Sequence, residues 1–308
     1  MKIYKPKFWV NKNIISILLF PLSIITLFVN KIKKLSTKEK FSIKTICVGN
    51  LNVGGTGKTS LAIELQKLLK KKNKKIVFIK KKYLSQIDEI NLLKKRGNLI
   101  IHERRKESLS IAQKRGFDLA ILDDGLQQKN IEYDLKIACF NAREGFGNGF
   151  LLPAGPLREN KNELKNYDLA FINGEKKNIN LYKKLKSINK NIKIFNGEYE
   201  VRNLKKLNKK LGYLMFCGIG NPQEFVSTLK KYNFRIKQKI FFPDHYKISK
   251  IELKKIKKIA NENKLNIITT EKDYLRLRKH ERKGLSYLKV NLKIKEINKL
   301  KKFLNYKI

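Results

Sequence analysis

Residues 48–60 read "VGNLNVGGTGKTS", and few folds can accommodate such a stretch. Glycines at 54, 55 and 57 run into Lys58-Thr59, and the apolar segment "KTICVGN" overlaps their upstream side. Backbone N–H groups can close around a polyanion only where no side chain intervenes, and a helix opening at the end of the turn adds its dipole. The pattern therefore calls for a buried strand, a glycine turn and a helix in direct succession. It is the phosphate loop G-x-x-x-x-G-K-[ST], except that Asn52 holds the leading glycine position. Asn52, Val53, Gly54, Gly55, Thr56, Gly57, Lys58 and Thr59 form the expected nucleotide-binding set. Lys58 would reach the β- and γ-phosphates and the Thr59 hydroxyl would hold Mg²⁺. The alternative is a glycine-rich turn with a structural role alone.

The rest of the chain is patterned to match. From Lys44 onward, apolar runs alternate with helical stretches: "KTICVGN", then a helix over Ser60–Lys71, "KIVFIK", "FDLAILDD", "LKIACF" and "YDLAFIN". Such alternation predicts parallel strands and βαβ units. The pattern restarts after the lysine-rich "EVRNLKKLNKK" with "GYLMFCGIG", a helix near Pro222, "KIFFPDHY" and "LNIITTEKD". The expected division is a membrane-associating helix over 1–36, a phosphate-loop core over 37–205 and a smaller α/β lobe over 206–308.

"FDLAILDD" ends in Asp123 and Asp124, where a Walker B carboxylate would face a nucleotide-bound metal. Both aspartates join Thr59 as candidate Mg²⁺ ligands. "GFGNGFLLPAGPLRE" is dense in glycine and proline, and is either a packed loop or a substrate-facing one in which Arg158 forks onto a phosphate or carboxylate. "FFPDHY" sets His245 beside Asp244, and "TTEKD" is a polar cluster with no reading of its own.

The formal net charge is +45 over 308 residues. An acidic partner would explain it, whether nucleic acid, anionic lipid or a phosphorylated substrate, and so would solvated lysines dispersed by compositional bias. Cys47, Cys139 and Cys217 lie in strand-like runs without a paired spacing, which points to buried thiols rather than disulfides. His102, His245 and His280 have no metal-ligand spacing. The segment Ile14–Val29, "IISILLFPLSIITLFV", is flanked by Lys12, Lys31, Lys33 and Lys34. At about 1.5 Å per residue it falls short of a roughly 30 Å hydrocarbon core, and Pro21 with Ser16, Ser23 and Thr26 weakens a spanning role. It reads as an interfacial anchor on anionic lipid, ahead of a short transmembrane anchor and of a helix in the protein's own core.

Taken in order, "VGNLNVGGTGKTS", "DDGLQ", "GFGNGFLLPAGPLRE", "FPDHY" and "TTEKD" resemble the tetraacyldisaccharide 4'-kinase family of lipid A biosynthesis. The resemblance covers the chain from the N-terminal helix to about Asp273, and that family's loop also lacks the leading glycine. It implies two α/β/α lobes joined by a short β linker, with the larger lobe like a phosphate-loop NTPase and the active site in the cleft. It implies an ATP- and Mg²⁺-dependent kinase on the cytoplasmic face of the inner membrane, phosphorylating the 4'-hydroxyl of a lipid-linked glucosamine disaccharide. The family's base is the aspartate of a Gly-Asp-Glu motif, partnered by the Asp-His histidine. Here Asp88 and Glu89 match that motif, with Ile87 in place of glycine. Asp88, His245 and Lys58 are thus the catalytic candidates, and Tyr83, Glu89 and Arg158 the substrate-binding ones. Asp88 is expected from the first lobe and His245 from the second, pairing when the lobes close. "KKKYL" replaces the family's Ser-Arg-Gly-Tyr-Gly, keeping Tyr83 alone, and the following loop shrinks to "SQI".

The runner-up is a membrane-recruited ATPase switch. A nucleic-acid-binding NTPase would rest on charge alone, because no cluster interleaves aromatic and basic residues. Nucleic acid and an obligate protein partner are therefore not expected.

Overall fold

The computed structural model describes residues 6–70, 74–83, 86–175 and 178–308. Lys71 and Ser85, which the expected helix and the shortened loop include, lie outside the described residues. The chain forms two compact units, a larger one from Pro6–Lys82, Leu93–Glu198 and Leu292–Ile308, and a smaller one from Tyr83–Leu92 and Tyr199–Asn291.

The N-terminal apolar segment makes two helices rather than one, α1 (Ile14–Leu18) and α2 (Phe20–Lys34). Pro21 has no N–H to continue the ladder, so the helix breaks at Leu19 and restarts with proline in its first turn. Asn13 and Ser16 cap α1 reciprocally. Ser23, Thr26 and Asn30 fall on one face and donate to the carbonyls of Leu151, Leu152 and Arg158 at 2.9, 2.8 and 2.8 Å. The polar stripe therefore faces the protein, while Ile17 (61% exposed), Ile24, Ile25 and Phe28 (62%) face outward. A helix in the protein's own core is thereby ruled out. No helix among the described residues is long and apolar enough to cross a membrane.

A strand buried on both faces needs an unbroken apolar run, and β1 (Lys44–Gly49) is buried at every position after its first. It lies inside a sheet with β2 (Ile76–Lys81), β3 (Asn98–His102), β4 (Leu119–Asp123), β5 (Leu135–Asn141), β6 (Leu169–Asn173), β7 (Lys193–Val201) and β12 (Val290–Ile294). The order is β12-β7-β6-β5-β1-β4-β2-β3. From β3 to β7 every neighbouring pair is parallel. The chain runs outward from β1 to β2 and β3, returns to β4, and then builds β5 to β7 on the other side. The connections diverge at the carboxyl end of β1, where open α/β sheets bind ligands. α3 (Lys58–Lys70), α4 (Ile87–Lys94), α5 (Arg105–Lys114) and α6 (Ile179–Ile188) fall between strands, and α3 and α5 pack on the sheet.

In the smaller unit the parallel order is β11-β10-β8-β9, from β8 (Gly212–Cys217), β9 (Arg235–Phe241), β10 (Asn266–Thr270) and β11 (Leu285–Leu288). Successive side chains of a strand point to opposite faces. Tyr213, Met215 and Cys217 accordingly join one core with Phe225, Val226 and Leu229 of α7 (Pro222–Lys231). Leu214 and Phe216 join the other with Leu253, Ile256 and Ala260 of α8 (Lys250–Glu262). α9 (Glu271–Arg276) follows β10, and α10 (Ile297–Lys307) ends the chain. The expected α/β class holds. β3, β7, β11 and β12 escaped the sequence reading, because they are mostly half-buried and their apolar residues are few or interrupted by polar ones.

Candidate active site

In the larger unit, β1 delivers the chain into the loop and α3 begins at Lys58. Gly54 (φ 118°) and Gly57 (φ 88°) take backbone conformations that a side chain would oppose. The turn is held from outside by the glycine–proline segment. Val53 N–H donates to Pro156 O at 2.8 Å, Arg158 N–H to Leu51 O at 2.6 Å, and the Asn52 amide to Gly145 O at 2.8 Å. Asn52 thus anchors the loop, a task that glycine could not perform.

The aspartates stand beside it. The Thr59 hydroxyl donates to Asp123 Oδ2 at 3.0 Å. Asp123 is fully buried, and its Oδ1 has no hydrogen-bond partner. Asp124 accepts from Arg158 at 2.7 Å and lies 3.9 Å from the Lys58 ammonium. Burial opposes ionisation of Asp124, but Lys58 and Arg158 outweigh it and hold the carboxyl at about 2. Arg158 also reaches Asn50 Oδ1 at 3.0 Å, which sets it beside the glycine turn together with Asp124. Two further cations complete the surroundings. Lys80 pairs with Asp123 Oδ2 at 2.7 Å, and Arg105 donates to Asp124 O at 2.6 Å.

No group of three or more His, Cys, Asp or Glu among the described residues is arranged to hold a metal alone. A kinase metal is completed by nucleotide oxygens, however, and needs only a hydroxyl and a carboxylate from the protein. Thr59 with the unpaired, buried Asp123 Oδ1 meets that requirement, so the residues present fit Mg²⁺.

The smaller unit assembles a second cluster. Asp88, in the first turn of α4, is buried and accepts from His245 Nδ1 at 3.1 Å and from Arg276 Nη2 at 2.8 Å. Burial alone would raise its pKa, but the His245 hydrogen bond and the charges of Arg276 and Lys272 bring it down to about 2. His245, in the β9–α8 connection, has φ 57°, a left-handed backbone conformation uncommon for a residue with a side chain. "TTEKD" acquires a role here. The Thr270 hydroxyl caps α9 and donates to Asp273 Oδ2 at 2.6 Å, Asp273 holds Arg276 at 2.5 Å, and Lys272 meets Glu89 at 2.7 Å. Arg276 was invisible to the sequence reading because nothing near it in the chain marks it as a partner of Asp88. Tyr83 belongs to the same unit, and its carbonyl accepts from Gln86 N–H at 3.1 Å. The expected origin of the pair is corrected. Asp88 and His245 lie within one unit, so their contact forms without closure of one lobe on another.

A family model described as tetraacyldisaccharide-1-P 4'-kinase matches residues 15–308. The chain belongs to this family. A tetraacyldisaccharide 4'-kinase of Pelagibacter ubique (strain HTCC1062) is 47% identical over 304 residues, covering 96% of this chain and 95% of that protein. The protein of that name from Rickettsia canadensis (strain McKiel) is 37% identical over 295 residues, covering 90% and 89%. A crystal structure described as the "apo" form of LpxK from Aquifex aeolicus in complex with ATP superposes with a TM-score of 0.72. It covers 95% of this chain and 99% of that one at 23% identity, which supports the fold. Membership of the tetraacyldisaccharide-1-P 4'-kinase family makes the chain an ATP-using kinase of lipid A biosynthesis and disfavours the ATPase switch.

Proposed function

We propose that this kinase transfers the γ-phosphate of ATP to the 4'-hydroxyl of a tetraacylated glucosamine disaccharide 1-phosphate, with Lys58 acting on the phosphate and Asp88 on the hydroxyl. The observation that carries the reading is the buried Asp88 carboxylate, ionised and held by His245 and Arg276. Residues 52–59 bind the nucleotide, and Lys58 meets the negative charge that develops on the γ-phosphoryl oxygens. Thr59, Asp123 and Asp124 would hold Mg²⁺, which neutralises charge on the phosphate oxygens when bound. Asp88 orients the sugar hydroxyl and accepts its proton. A carboxylate this acidic is a weak base, yet phosphoryl transfer gains mainly from positioning, and the hydroxyl becomes acidic as the new bond forms. His245 keeps Nδ1–H toward Asp88, which fixes the carboxylate's orientation. Glu89, Tyr83 and Arg158 contribute to substrate binding.

Residues 1–36 provide membrane contact. α1 and α2 turn apolar side chains outward and carry Lys31, Lys33 and Lys34 in the last turn. That is the arrangement of a helix lying at the acyl boundary of an anionic leaflet, and it supports a peripheral or monotopic enzyme on the cytoplasmic face. Transfer of labelled γ-phosphate from ATP to purified disaccharide precursor tests the activity, and label released only as inorganic phosphate would refute it. Removal of residues 1–30 should shift the protein away from sedimented anionic vesicles. Unchanged sedimentation would place the anchoring surface elsewhere.

A further inference from the structure

Lys80 ends the apolar run of β2, directly across the ladder from Asp123 of β4. In the sequence it opens "KKKYL" and looks like one more solvated lysine. In the fold it is 1% exposed, with its ammonium 2.7 Å from a carboxylate that is 0% exposed. A buried ammonium is costly unless a carboxylate meets it, so this pair is a built feature of the site. Its position is unusual for a second reason. The oxygen it holds, Asp123 Oδ2, is also the one that accepts the Thr59 hydroxyl at 3.0 Å. The two protein groups suited to a divalent metal thus already share an oxygen with a fixed positive charge.

Charge balance extends the point. Lys58, Lys80, Arg105 and Arg158 gather at Asp123 and Asp124, a surplus of two positive charges. A free divalent cation entering this cluster would double that surplus at short range in a poorly screened interior. Mg-ATP, a dianion at neutral pH, would cancel it. We propose that Lys80 is a positioning residue that acts as a resident counter-charge for Asp123, keeping divalent metal out of the nucleotide-free site so that the metal enters only together with nucleotide. The proposal rests on the assignment of Thr59 and Asp123 to the metal.

Mn²⁺ titrated into the full-length protein and followed by electron paramagnetic resonance, with and without a non-hydrolysable ATP analogue, tests it. Wild-type protein should bind Mn²⁺ weakly alone and tightly with the analogue. Lys80→Met and Lys80→Gln, which remove the charge, should tighten nucleotide-free Mn²⁺ binding by about tenfold or more. Lys80→Arg, which keeps the charge, should behave as wild type, an outcome that a merely structural lysine would not give. Thermal melts identify any variant that fails to fold. In that event the wild-type titration decides together with Asp123→Asn, because Mn²⁺ bound as tightly without nucleotide as with it, and lost in Asp123→Asn, would overturn the proposal. Folded Met and Gln variants with unchanged Mn²⁺ affinity would also overturn it, leaving the metal assignment standing. Wild-type affinity of Asp123→Asn for Mn²⁺ with the analogue would instead refute the metal assignment, and the proposal with it.

Discussion

The two charged clusters of this enzyme use the same kinds of side chain in opposite proportion. Around Asp123 and Asp124, the cations Lys58, Lys80, Arg105 and Arg158 outnumber the carboxylates. Around His245, the carboxylates Asp88, Glu89, Asp244 and Asp273 outnumber Arg276 and Lys272. A surplus of cations suits a polyphosphate, and a surplus of carboxylates suits a neutral hydroxyl about to lose a proton. The net charge of +45 therefore says little about either site. Local balance, set by which few residues the fold brings together, decides what each cluster can receive.

The contrast is most exposed at Lys58. Lys58→Ala should lower kcat by on the order of 10²–10³-fold or more, since the lost charge acts on the transition state. Steady-state kinetics with the lipid substrate would show it, and near-normal turnover would remove the phosphate-binding role of the cation-rich cluster. Thr59→Ala and Asp123→Ala should instead move the Mg²⁺ dependence of the rate.

The carboxylate-rich cluster should respond differently. Asp88→Ala and His245→Ala are each expected to cut kcat by about 10²-fold or more while ATP affinity stays nearly unchanged. Because the two side chains touch within one unit, the double variant should be little worse than the more damaged single one. Strictly additive losses would show that they act separately. A fully active Asp88→Ala would pass the role of base to Glu89 or Asp124.

A smaller effect concerns pH. The lowered pKa of Asp88, about 2, leaves it ionised in the folded protein throughout the working range. Its contribution to stability is present above the carboxylate's unfolded pKa of about 4 and is lost as pH falls through the folded value. Arg276→Met removes one of the charges that lower this pKa. The Asp88 carboxyl, followed by NMR, should then titrate higher by a fraction of a unit to about a unit. An unmoved titration would mean that Arg276 does not govern Asp88. The slightest change is expected at Cys47, a buried thiol that burial pushes up to about 12. It should stay unlabelled by thiol reagents in the native protein, and ready labelling would show that the cation-rich cluster opens.

Much of this enzyme was legible one segment at a time. The strand–turn–helix around Lys58, the aspartates ending β4 and the restart of the pattern near Gly212 all follow from residue types a few positions apart, because backbone conformation and strand or helix periodicity are short-range properties. What tertiary structure alone decided involves partners distant in the chain. Lys80 meets Asp123 across 43 residues, Arg158 meets Asp124 across 34, and Arg276 meets Asp88 across 188. Ser23 turns inward because Leu151, 128 residues away, offers a carbonyl, and α2 is thereby left with its apolar side outward. A lysine in a lysine-rich chain carries no local mark of its destination. Burial beside a carboxylate is what changes its surroundings from water to protein, and with them the strength and meaning of its charge.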